Sequence, residues 1–304
     1  MITNPQPARR GAIAPAQHHA PTSGRLTSGR LTSAQPAPAL PSLARLGLLR
    51  GVLEIRLFFR QRDSVIFTFA LPVILLTLFG QIFHGQIGHT GVDFRQYFIP
   101  GIIASGLMSA TFVNLGVSVA ADRSDGTLLR LAGTPASATA YFAGKAILAL
   151  VVAVLEVTIL LAVGVALLGL HLPATAGKWI TFGWVFTLGA VTCSLLGIAV
   201  SCIARSARSA PAVLNLPYLV LSFISGVYFV FSSLPKGLQQ VAALFPLKWL
   251  CQGLRSVFLP NQLLAVEPAH SWELGRIALV LGAWLVASLV VCVRLFRWQR
   301  LADQ

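Results

Sequence analysis

Residues Asp122–Lys145 read DRSDGTLLRLAGTPASATAYFAGK, a polar island between two long apolar runs at about 98–120 and 146–168. The island carries too much charge to lie in lipid and is too short to be a domain. Several other apolar runs of about 20 residues occur along the chain, the length of a helix that crosses a bilayer. Reading outward from the island therefore gives an all-α polytopic membrane protein.

The composition agrees. Of 304 residues, 56% are hydrophobic and 11% charged, against about 25% charged in soluble domains, and the mean hydropathy is +0.77. A soluble domain with one very large core is excluded, because single cores stop growing near ~250–300 residues and still need a polar surface. Cys193, Cys202, Cys251 and Cys292 form no CxxC pair and have no histidine at metal-ligand spacing. They read as small apolar residues packed between helices, and no metal site is expected.

Residues 1–41 are rich in Pro, Ala, Ser, Thr and Gly, with a TSGRL repeat between Thr22 and Ser33. Nothing there can bury a core, so a disordered basic N-terminal extension is expected. It lacks the continuous apolar core of a secretory signal. Ser42 can cap a helix over 42–62, in which Leu43, Leu46, Leu49, Leu53 and Leu57 share one face. That helix is expected to lie along the membrane surface. Six spans follow, at about 65–83, 98–120, 146–168, 179–204, 212–231 and 277–295. Pro72 falls inside the first, which membrane helices tolerate. Between the fifth and sixth, Leu234–Phe245 and Leu247–Leu259 are split by Pro246 and closed by Pro260. Each piece is too short for the ~20 residues a crossing needs, so a re-entrant or interfacial helix pair is expected over 234–259.

Positive charge in short loops marks the cytoplasmic side. The basic flanks are the N-terminal segment from Arg9 to Arg62, Arg123 and Arg130 in the island, Arg205 and Arg208, and the tail with Arg294, Arg297 and Arg300. Six spans bring all of them to one side. Both termini and the island are then cytoplasmic, and the helix pair lies outside. The net charge of +14 is assigned to contact with anionic membrane lipid. Nucleic acid is not an expected partner, since no aromatic residue interleaves with the arginines before Phe58 and no recognition module occurs.

No GxxxxGK[ST] phosphate loop is present: Lys145 and Lys178 follow glycines, but Ala146 and Trp179 stand where Ser or Thr is required. HExxH and GxSxG are also absent. The chain is expected to be no enzyme, with no catalytic residues and no bound cofactor. Glu156 is the one carboxylate deep in a span. An intramembrane carboxylate is costly and by default functional: it could meet a cationic substrate, relay a proton or pair across a subunit interface. The other reading is a protonated carboxyl hydrogen-bonded to a neighbouring helix. Asn114 and Asn215 read as interhelical hydrogen-bonding residues or as lining of a substrate path. In the island, Gly126 permits a turn after Asp122–Arg123, and Thr127–Leu131 forms a short helix. Gly133 ends it, and Thr134 can cap the next helix with Pro135 in its first position. The result is a small elbow.

The island, with its acidic–basic pair, GTL, TP and GK, resembles the cytoplasmic loop of type 2 ABC-exporter permeases. A second stretch carries the same resemblance: Phe223-Ile-Ser-Gly226-Val-Tyr-Phe, then Leu234-Pro235, Leu238-Gln239, Phe245-Pro246-Leu247 and Leu254-Arg255. The two occur in the family's order, and the likeness covers about residues 42–300, nearest the drug-resistance, daunorubicin-type branch. The sequence departs from the pattern at Asp122 and Leu129, where the family often has Glu, and at Phe229–Val230, where it has an aromatic–Pro pair.

The resemblance implies a multi-pass permease of the bacterial inner membrane, a homodimer or heterodimer joined to separate ATPase subunits that hold ATP and Mg. Asp122, Arg123, Gly126, Thr127, Leu128, Thr134 and Pro135 would receive motion from the ATPase. Gly226, Pro235, Pro246 and Arg255 would belong to the extracellular helix pair at the exit. The implied activity is ATP-driven export of an amphipathic drug, lipid or glycan precursor. The alternative is an ion- or proton-coupled transporter that works through Glu156.

Overall fold

The structure, a computed structural model, describes residues 42–83, 85–87, 91–132, 138–265 and 267–295. The expected disordered extension over 1–41 and the capping pair Thr134–Pro135 lie outside the described residues.

Among the described residues the fold is entirely helical apart from one isolated bridge, Gln86 to Asp93. Helix α1 (Leu43–Arg60) begins where expected, with Ser42 Oγ accepting from the Arg45 N–H at 3.4 Å. Its leucine stripe does not pack on protein: Leu43, Leu49, Leu53 and Leu57 are all exposed. The face that packs is Gly47, Gly51 and Glu54, against α6 (Ala138–Leu168). A Cβ on Gly51 would come within 2.9 Å of Ile147, so two small residues let the helix axes approach closely. The exposed leucines suit a helix that rests on lipid.

Helix α2 (Arg62–Ile82) buries only Leu76 and Gly80. A turn then leads to α3 (Phe94–Met108), capped by Asp93, whose Oδ1 accepts from the Arg95 N–H at 3.0 Å. A π-helical stretch, Ser109–Asn114, joins α3 to α4 (Leu115–Ser124), making one rod from Phe94 to Ser124. This rod is the most buried of the long helices and forms the centre of the bundle. The π-helical stretch widens it where α7 (Ala176–Ser201) comes closest: a Cβ on Gly197 would sit 2.4 Å from the Phe112 carbonyl oxygen.

Among the described residues, five helices are long and apolar enough to cross a membrane: Arg62–Ile82, Phe94–Ser124, Ala138–Leu168, Ala176–Ser201 and Leu274–Arg294. The last lies in α11 (Leu274–Leu295). The span expected at 212–231 is shorter than the hydrophobic run that suggested it. Helix α8 (Ala210–Ile224) has 15 residues, about 22 Å at 1.5 Å per residue, against a ~30 Å hydrocarbon core. It stops because Gly226 takes φ +78, a left-handed turn that ends helices. The Gly226 carbonyl accepts from the Arg255 guanidinium. Val227 and Tyr228 then bury themselves as irregular chain and Phe231 at the start of a 3-10 turn, with the Val227 carbonyl held close to Gly101 of α3.

The short helices between α8 and α11 divide sharply. Helix α9 (Lys236–Ala243) buries a single residue, Ala242. Helix α10 (Pro246–Phe258) starts at Pro246, which suits a first helical position, and buries all 13 of its residues. It packs on α3, α7 and α11. Gly189 of α7 and Gly253 of α10 open the contact: their absent Cβ atoms would meet Leu250 at 2.2 Å and Val185 at 2.8 Å. The expected helix pair is therefore one exposed helix and one sunk into the bundle.

Candidate functional site

A cavity of about 650 Å³ lies between α1, α2, the α3–α4 rod, α6 and α8. Glu54, Ser118, Asp122 and Lys145 line it near the α4 end, Ser105, Gly106 and Tyr218 along α3 and α8, with Asn114 and Asn215 on its wall. The two asparagines singled out in sequence thus share one cavity. Asn215 Nδ2 donates to the Pro211 carbonyl of its own helix at 2.9 Å, not to a neighbouring one.

Glu156 stands one layer away. It is 1% exposed, and neither carboxyl oxygen has a hydrogen-bond partner. The hydrogen bond to a neighbouring helix offered by the structural reading is not formed. Its Oε1 occupies the space beside Gly106, where a Cβ would come within 2.6 Å.

The α4 end of the cavity is closed by a buried ion network. Lys145, 2% exposed, donates to Glu54 Oε2 at 2.9 Å, Asp122 Oδ2 at 2.7 Å and Ser118 Oγ at 2.7 Å. Arg50 pairs with Glu54 Oε1 at 2.7 Å, and the Tyr141 hydroxyl donates to Asp122 at 2.7 Å. Both cations also lie over the Tyr141 ring. Two acids face two bases, so the charges of the buried Lys145 and Glu54 and of the half-buried Arg50 and Asp122 balance. The network joins α1, α4 and α6. In sequence Lys145 stands out only as the end of the GK pair, and Glu54 belongs to no motif. The available signal was their helical spacing: Glu54 falls on the Gly47–Gly51 face and Lys145 one residue after Gly144.

The island residues separate into inward and outward sets. Asp122 turns into the network. Arg123 donates to the Ala204 carbonyl just beyond α7. Gly126, at φ +70, turns the chain into α5 (Thr127–Ala132). Leu128 is 0% exposed, so it anchors α5 and cannot offer itself to a partner. The exposed positions are Ser124, Asp125, Leu129 and Arg130, with Arg130 folded back onto the Asp125 carbonyl at 3.2 Å. Leu129, 43% exposed, was missed because periodicity alone does not say which side of so short a helix faces the bundle.

At the other end of the rod, Arg255 is fully buried. It holds the Gly226 carbonyl, and its guanidinium lies 3.8 Å from the Tyr97 ring centre. The Tyr97 hydroxyl accepts from the Phe231 N–H at 3.1 Å. Gly226 and Arg255 meet at this point, whereas Pro246 opens α10, about 13 Å back along the helix from Arg255, and Pro235 stands exposed before α9. Arg255 is thus a fastening of the helix pair to α3 and to the end of α8. Among the described residues no group of three or more metal-ligating side chains converges.

The family model for ABC-2 type transporters matches residues 52–259, a stretch that holds the cavity, the elbow and the sunken helix. The chain is 25% identical over 196 residues to the probable multidrug ABC transporter permease YbhR of Escherichia coli K12, covering 63% of this chain and 51% of that one. It is 24% identical over 201 residues to the inner membrane transport permease YadH of the same strain, covering 63% of this chain and 75% of that one. The chain thus spans about half the length of YbhR. The residues matched by the family model include every helix described above except α11 and the first turns of α1. The chain is a multi-pass protein of the cell membrane and belongs to the ABC-2 type transporter family.

Proposed function

We propose that the chain is the membrane-spanning permease subunit of an ATP-driven exporter, energised by a separate ATPase subunit. The observation that carries this reading is the union of an exposed elbow with a buried network. Helix α5 offers Leu129 and Arg130 outward, while the helices flanking the elbow, α4 and α6, are locked to α1 through Lys145, Glu54 and Asp122. Force applied to α5 would move these helices together, and they form walls of the cavity. The chain itself carries no phosphate loop, so the energy must enter from a partner. In this reading α8 acts as a sixth, short span, both termini and the elbow are cytoplasmic, and α9–α10 face the outside. Cargo leaves at the interface of two permeases. Its class is an amphipathic drug, lipid or glycan precursor, and efflux of drugs would give resistance.

The test is purification of the chain with a candidate ATPase and measurement of ATP turnover in lipid. Leu129→Asp with Arg130→Glu should uncouple the pair, lowering cargo-stimulated turnover about tenfold with the permease still folded. Stimulation unchanged by these substitutions would remove the elbow from the coupling path.

A second reading is favoured by one observation, the unpartnered carboxyl of Glu156. A transporter driven by ions or protons through Glu156 would move cargo without ATP. Transport that persists in vesicles without nucleotide and stops in Glu156→Gln would establish it.

A further inference from the structure

The rod at the centre of the bundle carries a polar row that runs well beyond the ion network. Ser105, Ser109, Asn114, Ser118 and Asp122 all line the cavity. Their spacings are four, five, four and four residues. Four residues bring an α-helix back to nearly the same side, but five leave it about 140° away. The five-residue step, Ser109 to Asn114, is the π-helical stretch, whose wider turn takes up the extra residue. Ser109 and Asn114 therefore keep to one face of the rod. Burial marks the same row: in a rod that is mostly buried, Ser109, Asn114, Ser118 and Asp122 are only half-buried.

The row has hydrogen-bonding capacity to spare. Among the described residues the side chains of Ser109 and Asn114 have no hydrogen-bond partner. Ser118 Oγ accepts from Lys145 at 2.7 Å and keeps its own O–H to donate. The Ser105 and Tyr218 hydroxyls bond to each other at 2.8 Å, and their oxygens keep lone pairs. Other parts of the lining are apolar, with Phe67, Leu71 and Leu75 on α2 and Leu148 and Val152 on α6. Phe67 and Leu71 are also exposed, so the cavity opens past α2 to the surroundings of the bundle. Of the charged lining residues, Glu54, Asp122 and Lys145 are held in the network, and Asp125 is exposed at the end of α4. Between these ends the cavity offers neutral donors and acceptors on the rod and hydrocarbon on α2 and α6.

We propose that the row is a binding track for amphiphiles with an uncharged, polyhydroxyl headgroup. The headgroup hydroxyls exchange hydrogen bonds with Ser109, Asn114 and Ser118, and the hydrocarbon chain lies against Leu71 and Leu75. A plain alcohol fills the apolar part and leaves most of the row unsatisfied. An ammonium head meets lining carboxylates that are already paired in the network or exposed at its end. As cargo recognition this rests on the permease reading, which it narrows to glycolipid-like cargo.

The experiment is photolabelling of the full chain in lipid nanodiscs with dodecyl glucoside that carries a diazirine in its chain close to the sugar. The same chain ending in a plain alcohol, or in an amine, serves as reference, each matched for its amount in the nanodisc. The glucoside should label residues 102–125 at least about fivefold above both references, the worth of one or two net hydrogen bonds. Ser109→Ala with Asn114→Leu should erase that excess and leave labelling by the alcohol as before. Thr158→Val, which removes a hydroxyl bonded within the exposed side of α6, should leave the excess in place. Labelling by either reference that equals the glucoside's overturns the proposal. So does an excess that survives the double variant or is lost equally in Thr158→Val. Loss of alcohol labelling together with glucoside labelling in the double variant means that the two residues support the fold, and this overturns it too. In a chain whose native cysteines are replaced, a disulfide between two copies carrying Asn114→Cys means that a second copy fills the cavity, with the same consequence. Absence of ATP-coupled transport sinks the permease reading alone and leaves the labelling result intact.

Discussion

Lys145 is the residue on which the coupling end of the chain turns. Its ammonium touches Glu54 of α1 and both Asp122 and Ser118 of α4. Removing one partner of a buried ion pair leaves the other charge uncompensated and typically costs about 3–5 kcal/mol. Lys145→Met is therefore expected to lower the thermal unfolding temperature of the detergent-solubilised protein markedly. Adding Glu54→Gln should recover part of the loss. An unchanged melting curve in the single variant would mean that the network contributes nothing. At the other end of the rod the buried Arg255 holds a carbonyl and an aromatic face.

Among the elements, the π-helical stretch and α7 set the tightest backbone contact. Gly197 lets α7 approach the Phe112 carbonyl, where a Cβ would come within 2.4 Å, and Gly116 does the same for the Gly197 carbonyl at 2.8 Å. Backbone cannot yield as a side-chain tip can, so Gly197→Ala should destabilise by the ~1–3 kcal/mol typical of overpacking. Gly183→Ala, on the same helix with open space around it, should be neutral or slightly stabilising, since Gly is the poorer helix former. Thermal stability of the two variants side by side checks this. If they behave alike, the contact is not close in solution. Helix α1 shows a related economy, in which glycines take the protein side and leucines the outside.

For the whole molecule the testable property is which ends of the bundle share a side of the membrane. Ser124 in the elbow and Lys236 at the start of α9 are both exposed, and the expected orientation puts them on opposite sides. After replacement of the four native cysteines by alanine, Ser124→Cys should be protected from an impermeant thiol reagent in intact cells and Lys236→Cys labelled. The reverse pattern would invert the orientation. Labelling of both from outside would mean that α8 and its neighbours do not cross as supposed.

The sequence by itself determined the class of the fold. Runs of apolar residues at membrane length, broken by short charged islands, leave helices as the means of satisfying the backbone, and the start at Ser42, the break at Pro246 and the turn at Gly126 were legible because capping, proline breaks and left-handed turns are local chemistry. The motifs around Gly126 and Gly226 also carried the family resemblance. Tertiary structure alone decided which polar residues serve which end. Hydrophobicity cannot distinguish a span from a strand of irregular chain packed on a neighbour, so the end of α8 at Ile224 and the burial of all of α10 were invisible. Charge along the sequence could not show that Lys145, Glu54 and Asp122, contributed by three separate helices, neutralise one another, or that Leu128 points inward and Leu129 outward. Glu156 was conspicuous from the start. Only the packing of α6 against Gly106 showed that its carboxyl is buried without a partner, because a partner's absence depends on every helix around it.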